Sequence, residues 1–149
     1  MHAVVAVDGS AESYDALERA LDETESRGGS VTVVHAVNPD VYELGGMEPI
    51  SGIEDADERL LVESLEDAEQ RGQSVLEEAT SRAAEYEVDV DAIMLYGPPA
   101  DRVVEFADEH DVDAIYVGHR GMSERLEGLL GSVAKRVVER ATVPVTVVR

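Results

Sequence analysis

Five short apolar runs, each separated from the next by a helical pattern or a long loop, constrain this chain more than any other feature. The runs cover Ala3 to Val7, Ser30 to Val37, Val88 to Leu95, Ala114 to Val117 and Pro144 to Val148. Each is a near-continuous Val/Ile/Leu/Ala stretch, the pattern expected of strands covered on both faces. Between them, apolar residues recur at helical spacing. Tyr14, Leu17, Ala20 and Leu21 share one face of a first helix, with Ser10 as its N-cap and Gly28-Gly29 as its end. A second helix, over about residues 57 to 85, carries Leu61, Leu65, Ala68, Gly72, Val75, Leu76, Ala79 and Ala83. A third holds Val103, Val104, Phe106 and Ala107, and a fourth Val133, Val137, Val138 and Ala141. These stripes are expected in the core. Residues 38 to 56 break the pattern with Asn38-Pro39-Asp40, Gly45-Gly46, Pro49 and Ser51-Gly52, and read as a long loop.

Strands alternating with helices imply βαβ units and right-handed crossovers. The expected fold is α/β: a single doubly wound domain over residues 1–149, with a five-stranded parallel sheet of order 3-2-1-4-5 and about four helices. Such sheets bind ligands beyond the carboxyl ends of the strands, where the order reverses. Here that point lies between the first and fourth strands. Asp8-Gly9-Ser10 follows one, and Gly118-His119-Arg120-Gly121 follows the other.

From Gly118 the chain runs to Gly131-Ser132, where the fourth helix begins, giving the pattern G-x2-G-x9-G-S. Gly118 and Gly121 permit positive φ and close approach of backbone N–H groups to an anion. Gly131 and Ser132 sit at a helix N-terminus, where orphan N–H groups and the helix dipole favour phosphate. Ser132 can add a hydroxyl donor or serve as an N-cap, and Arg120 can bring a positive charge. Asp8 can read a nucleoside, cap the first helix or end the strand. Gly97-Pro98-Pro99 reads as a plain turn. Neither GxxxxGK[ST] nor GxGxxG after the first strand is present, so P-loop and dinucleotide-type Rossmann readings fail.

Charge excludes other partners. Asp plus Glu number 33 against 12 Lys plus Arg, a formal net charge of −21. This field repels phosphodiester backbones and anionic membranes, so neither nucleic acid nor membrane is expected as a partner. The self-repulsion is screened in molar salt, where the Debye length is roughly 3 Å, and a halophilic source is expected. Cysteine is absent, which removes disulfides and thiolate sites. No histidine pair has ligand spacing on a helix, and no metal site is assigned. The first residues enter a strand without a charged, cleavable leader, and a cytoplasmic location is expected.

The whole chain resembles the universal stress protein family, in its ATP-binding branch. The resemblance rests on VAVDGS, VVHAV, YGPPADRVVEFA and GHRG…GLLGSVAKRVVERATVPVTVV, with the G-x2-G-x9-G-S spacing. It implies a nucleoside contact at Asp8, with Ala6 and Val7 beside the adenine. Ala36 and Val37 match the strand-two end that packs the base, and Val117 matches the apolar residue before the first glycine. Gly118, Arg120, Gly121, Gly131, Ser132 and Val133 match ribose and phosphate positions. It implies ATP as ligand, with Mg2+ or Mn2+ carried on the phosphates. It also implies a homodimer through Val143 to Val148, and an apolar edge strand there would otherwise invite aggregation.

Three functions remain open on these residues. The first is a stress-response module that binds ATP for a regulatory or protective role. The second is a slow ATPase, or an AMP or cyclic-nucleotide binder on the same site. The third is a dimerisation module without nucleotide. No catalytic residue is assigned, because no lysine or arranged carboxylate near the loop suits hydrolysis.

Overall fold

The computed structural model describes residues 1–41, 64–121 and 129–149. Along them run β1 (His2–Ala6), α1 (Ala11–Arg27), β2 (Ser30–Val37), α2 (Leu65–Ala83), β3 (Asp89–Tyr96), α3 (Pro99–Glu109), β4 (Ala114–Gly118), α4 (Ser132–Arg140) and β5 (Val145–Val148). The sheet is five-stranded, with order β3-β2-β1-β4-β5 and every neighbouring pair parallel. The expected α/β topology and strand order are therefore observed. Most of the 38–56 loop, Leu61 and the middle of the glycine spacer, 122–128, lie outside the described residues.

The alternation of β1 divides the core in two. Ala3, Val5 and Val7 face α1 and α2, together with Val31, Val33 and Tyr116. Val4, with Val34, Ile115 and Val117, faces α3 and α4. Strand side chains alternate faces with period two, so one apolar run serves both layers. Leu17 and Leu21 of α1 are fully buried in the first layer, and Val103 and Val137 anchor the second. Truncating Leu17 to alanine would cost about 2–5 kcal/mol by cavity formation.

Local chemistry starts and stops α1 where the sequence indicates, whereas α2 begins at Leu65 and not near residue 57. The Ser10 hydroxyl accepts from the Ser13 amide at 3.1 Å and caps α1. Gly28, at φ 79, closes it by donating to Thr24 O. Ser64 caps α2, whose buried face is Ala68, Gly72, Val75, Leu76, Ala79 and Ala83.

Two expectations about burial change. The outer strands β3 and β5 are not covered on both faces: Asp89 and Asp91 are exposed within β3, and every residue of β5 is half-buried. In α4 only Ala134 and Val137 are buried, while Val133 and Val138 are 38% and 49% exposed. No helix among the described residues is long and apolar enough to cross a membrane.

Candidate functional site

β1 and β4 are neighbours, and the chain leaves them in different directions, to α1 and to α4. The divergence opens a cavity of about 210 Å³ at their carboxyl ends. From β1 and the turn after it come Ala6, Val7 and Asp8. Ala36 enters from β2, and Val117 and Gly118 from β4. Arg120 and Gly121 follow, and Gly131 and Val133 complete this set from the start of α4. Ten of the twelve residues singled out in the sequence thus line one space. The other two lie just outside its wall. Val37 is buried, and its carbonyl accepts from the Gly97 amide at 2.9 Å. Ser132 is the first residue of α4.

Six further residues line the cavity: Ser13, Val34, His35, Pro99, Val103 and Ala134. Five of them are apolar or small and carried no signal beyond membership of a strand or helix, and the sixth is His35. His35 is buried, and its Nδ1 lies 2.8 Å from Val7 O, tying β2 to the end of β1. Pro99 is the first residue of α3, so the Gly97-Pro98-Pro99 turn also forms cavity wall.

The Asp8 turn is built by short-range hydrogen bonds. Asp8 Oδ1 accepts from the Ser10 amide at 2.9 Å, and the Asp8 amide donates to Ser13 Oγ at 3.3 Å. Gly9, at φ 90, makes the reversal between them. Asp8 therefore both organises the start of α1 and lines the cavity.

The glycines of the second loop act by space rather than by positive φ, which neither Gly118 nor Gly121 adopts. A Cβ on Gly118 would lie 2.8 Å from the backbone carbon of Glu12 and 2.9 Å from its oxygen. A Cβ on Gly121 would collide with the Asp8 carboxylate. Gly131 is the N-cap of α4 and supplies no side-chain cap, so Ser132 does not hold that place. The Gly131 amide donates to His119 O at 2.6 Å and is not left for an anion. The first-turn amides of Val133 and Ala134 have no helical carbonyl to bond, and these residues line the cavity.

Arg120 does not stand alone. Its Nε donates to Glu12 Oε1 at 3.0 Å, with side chains 26% and 20% exposed. The Glu12 carboxyl is held below its ordinary value, first by its own backbone N–H at the start of α1 and then by the Arg120 guanidinium. Among the described residues no group of three or more His, Cys, Asp or Glu side chains is placed to hold a metal.

A model of the universal stress protein family matches residues 1–149. Universal stress protein YxiE of Bacillus subtilis is 32% identical over 146 residues, covering 98% of this chain and 97% of the relative. The universal stress protein of Archaeoglobus fulgidus, solved in complex with dAMP, is 29% identical with a TM-score of 0.69, covering 100% of this chain and 98% of that one. A universal stress protein solved in complex with cAMP is 28% identical with a TM-score of 0.71, covering 100% and 97%. Over its whole length, and with the strand order and glycine loop in place, this chain belongs to the universal stress protein family.

Proposed function

We propose that this protein binds an adenine nucleotide in the cavity between the ends of β1 and β4, and that ATP is among its ligands. One observation carries the reading: Asp8, the Gly118–Gly121 turn and the first turn of α4 converge on one cavity at the switch point of the sheet. In this reading Asp8 accepts from the sugar hydroxyls, and Ala6, Val7, Ala36 and Val117 surround the base. The phosphates lie toward Gly118, Arg120, Gly121, Gly131 and Val133, facing the positive end of the α4 dipole. The dAMP and cAMP complexes of the two solved family members support an adenine nucleotide as the ligand class. A Mg2+ or Mn2+ ion would be carried by the phosphates, and the role is regulatory or protective, with slow turnover or none.

Calorimetry on nucleotide-free protein tests this. Heat on adding AMP, cAMP or ATP, absent with the matching cytidine compounds, is expected. No heat from any adenine nucleotide in a folded sample overturns the proposal.

Two other features belong to the same reading. A halophilic setting follows from the charge of −21, and melting temperatures that rise from dilute to molar salt would bear it out. Homodimerisation is proposed through Val143 to Val148, since β5 is an outer strand carrying half-buried valines. Light scattering of wild type and Val147→Pro, which removes an outward-facing N–H of β5 and blocks edge pairing, would show a dimer and a monomer.

A further inference from the structure

We propose that Glu12 sets the site's preference for phosphate number, weakening di- and triphosphates relative to monophosphates by holding Arg120 in an ion pair. The inference rests on the adenine-nucleotide reading above and concerns a residue outside the cavity wall. Its basis is the position of Glu12. The residue lies in the first turn of α1, and its backbone is pressed against Gly118 so closely that a Cβ there would sit 2.8 Å from its carbonyl carbon. It cannot drift from the end of β4. Its carboxylate holds the Nε of Arg120 at 3.0 Å, and Arg120 is on the cavity wall.

The local charge then differs from what the loop sequence suggests. Asp8 and Arg120 lie on the wall and Glu12 on Arg120, with His35 on the same wall and His119 close enough to act on Glu12, both counted as neutral. Their formal sum is −1, so the arginine brings no surplus of positive charge. Each added phosphate charge meets the Arg120–Glu12 pair rather than a lone cation. The base and sugar do not sense this difference, but the tail does. For a separation of about 6 Å, one unit charge changes affinity by roughly three- to a hundredfold between effective dielectrics of about 80 and about 20. A tail of higher charge is affected more than a single phosphate.

The test compares AMP and ATP affinities by calorimetry, without divalent ions, at the lowest salt in which circular dichroism shows the chains folded. Glu12→Gln keeps an acceptor for Arg120 Nε and removes the charge. The ATP-to-AMP affinity ratio is expected to rise by about three- to tenfold over wild type, mainly through ATP. Glu12→Asp retains the charge and should return the ratio toward wild type. Arg120→Gln in the Glu12→Gln background should abolish the gain. A ratio unchanged in Glu12→Gln, with wild type binding AMP or ATP normally, overturns this proposal and leaves the nucleotide site standing. A fall in both affinities would show that Glu12 only positions Arg120, and also overturns it. Absence of adenine-nucleotide binding in every folded chain overturns both readings.

Discussion

The carbonyl of His119 accepts a hydrogen bond from the amide of Gly131 at 2.6 Å. His119 also donates its own amide to Val148 O at 2.8 Å, extending the β4–β5 pairing by one residue. One peptide segment therefore joins the two ends of the glycine loop to the outer strand. The starting point of α4 is set by that junction.

Gly131 adopts φ −63 and ψ 157, which any L-residue can take. Its place as an uncapped N-cap predicts a trade. Gly131→Ser supplies the missing cap and should raise stability by a few tenths of a kcal/mol, seen as a higher melting temperature. The same side chain enters the cavity wall, so AMP affinity should fall about tenfold or more by calorimetry. Equal losses in both measurements would contradict this separation.

Gly118 and Gly121 should fail differently. In Gly118→Ala the new methyl meets the backbone of Glu12, so β4 and α1 must part, at about 1–3 kcal/mol in denaturant melts. In Gly121→Ala it meets the Asp8 carboxylate, a side chain that can rotate. There the stability loss should be smaller than in Gly118→Ala, limited to the Asp8–Ser10 hydrogen bond at about 0.5–1.5 kcal/mol, while nucleotide affinity drops because Asp8 is displaced.

Acid dependence should be readable at Asp101. Its carboxylate accepts from Arg136 Nε at 2.9 Å and Arg140 Nη1 at 2.5 Å, and its pKa is lowered, mainly by the Arg136 hydrogen bond. A depressed carboxyl stabilises the fold above its ordinary value of 3.8, and loses that effect as pH falls through the folded value. Asp101→Asn should melt lower than wild type at neutral pH. In molar salt the two melting curves should converge as the medium is made more acidic than the ordinary value. A gap that persists at low pH would contradict the ion-pair origin.

Tyr116 should mark the alkaline side. It is buried, donates its hydroxyl to Glu23, and has its pKa pushed up to about 12, first by burial and then by that bond. The effect is fully present below the usual tyrosine value of 10.0 and is lost as pH rises toward 12. Ultraviolet titration should show a tyrosine that resists ionisation near pH 10, and Tyr116→Phe should remove that late step. The substitution should also cost about 0.5–1.5 kcal/mol at neutral pH.

Strand order, the caps of α1 and the wall residues Asp8, Gly118, Arg120, Gly121 and Gly131 were legible because each rests on a local pattern, whereas Ala6, Val7, Ala36, Val117 and Val133 came from the family resemblance alone. Apolar runs mark strands, Ser10 and Gly28 mark helix ends, and the position of Asp8 and Gly118 follows once the order 3-2-1-4-5 is assumed. What was not legible depends on contacts between residues distant in sequence. Glu12 and Arg120 are 108 positions apart, and nothing near either announces the other. The exposure of Val133 follows from its place on the wall of the open cavity, which periodicity does not report. Gly118 and Gly121 were read as conformational glycines, whereas neighbouring α1 and Asp8 make them steric ones.

Asp101 lies in the first turn of α3, beside the cavity residues Pro99 and Val103. The arginines it binds lie further along α4, whose first turn forms another part of the same cavity through Val133 and Ala134. Two walls are thus bolted together on the outside, like the jaws of a clamp tightened behind the work. The fastening is made of charge and sits on exposed side chains, Asp101 being 22% exposed and Arg136 and Arg140 54% and 50%, while Val103, Val104 and Val137 pack the same two helices from within.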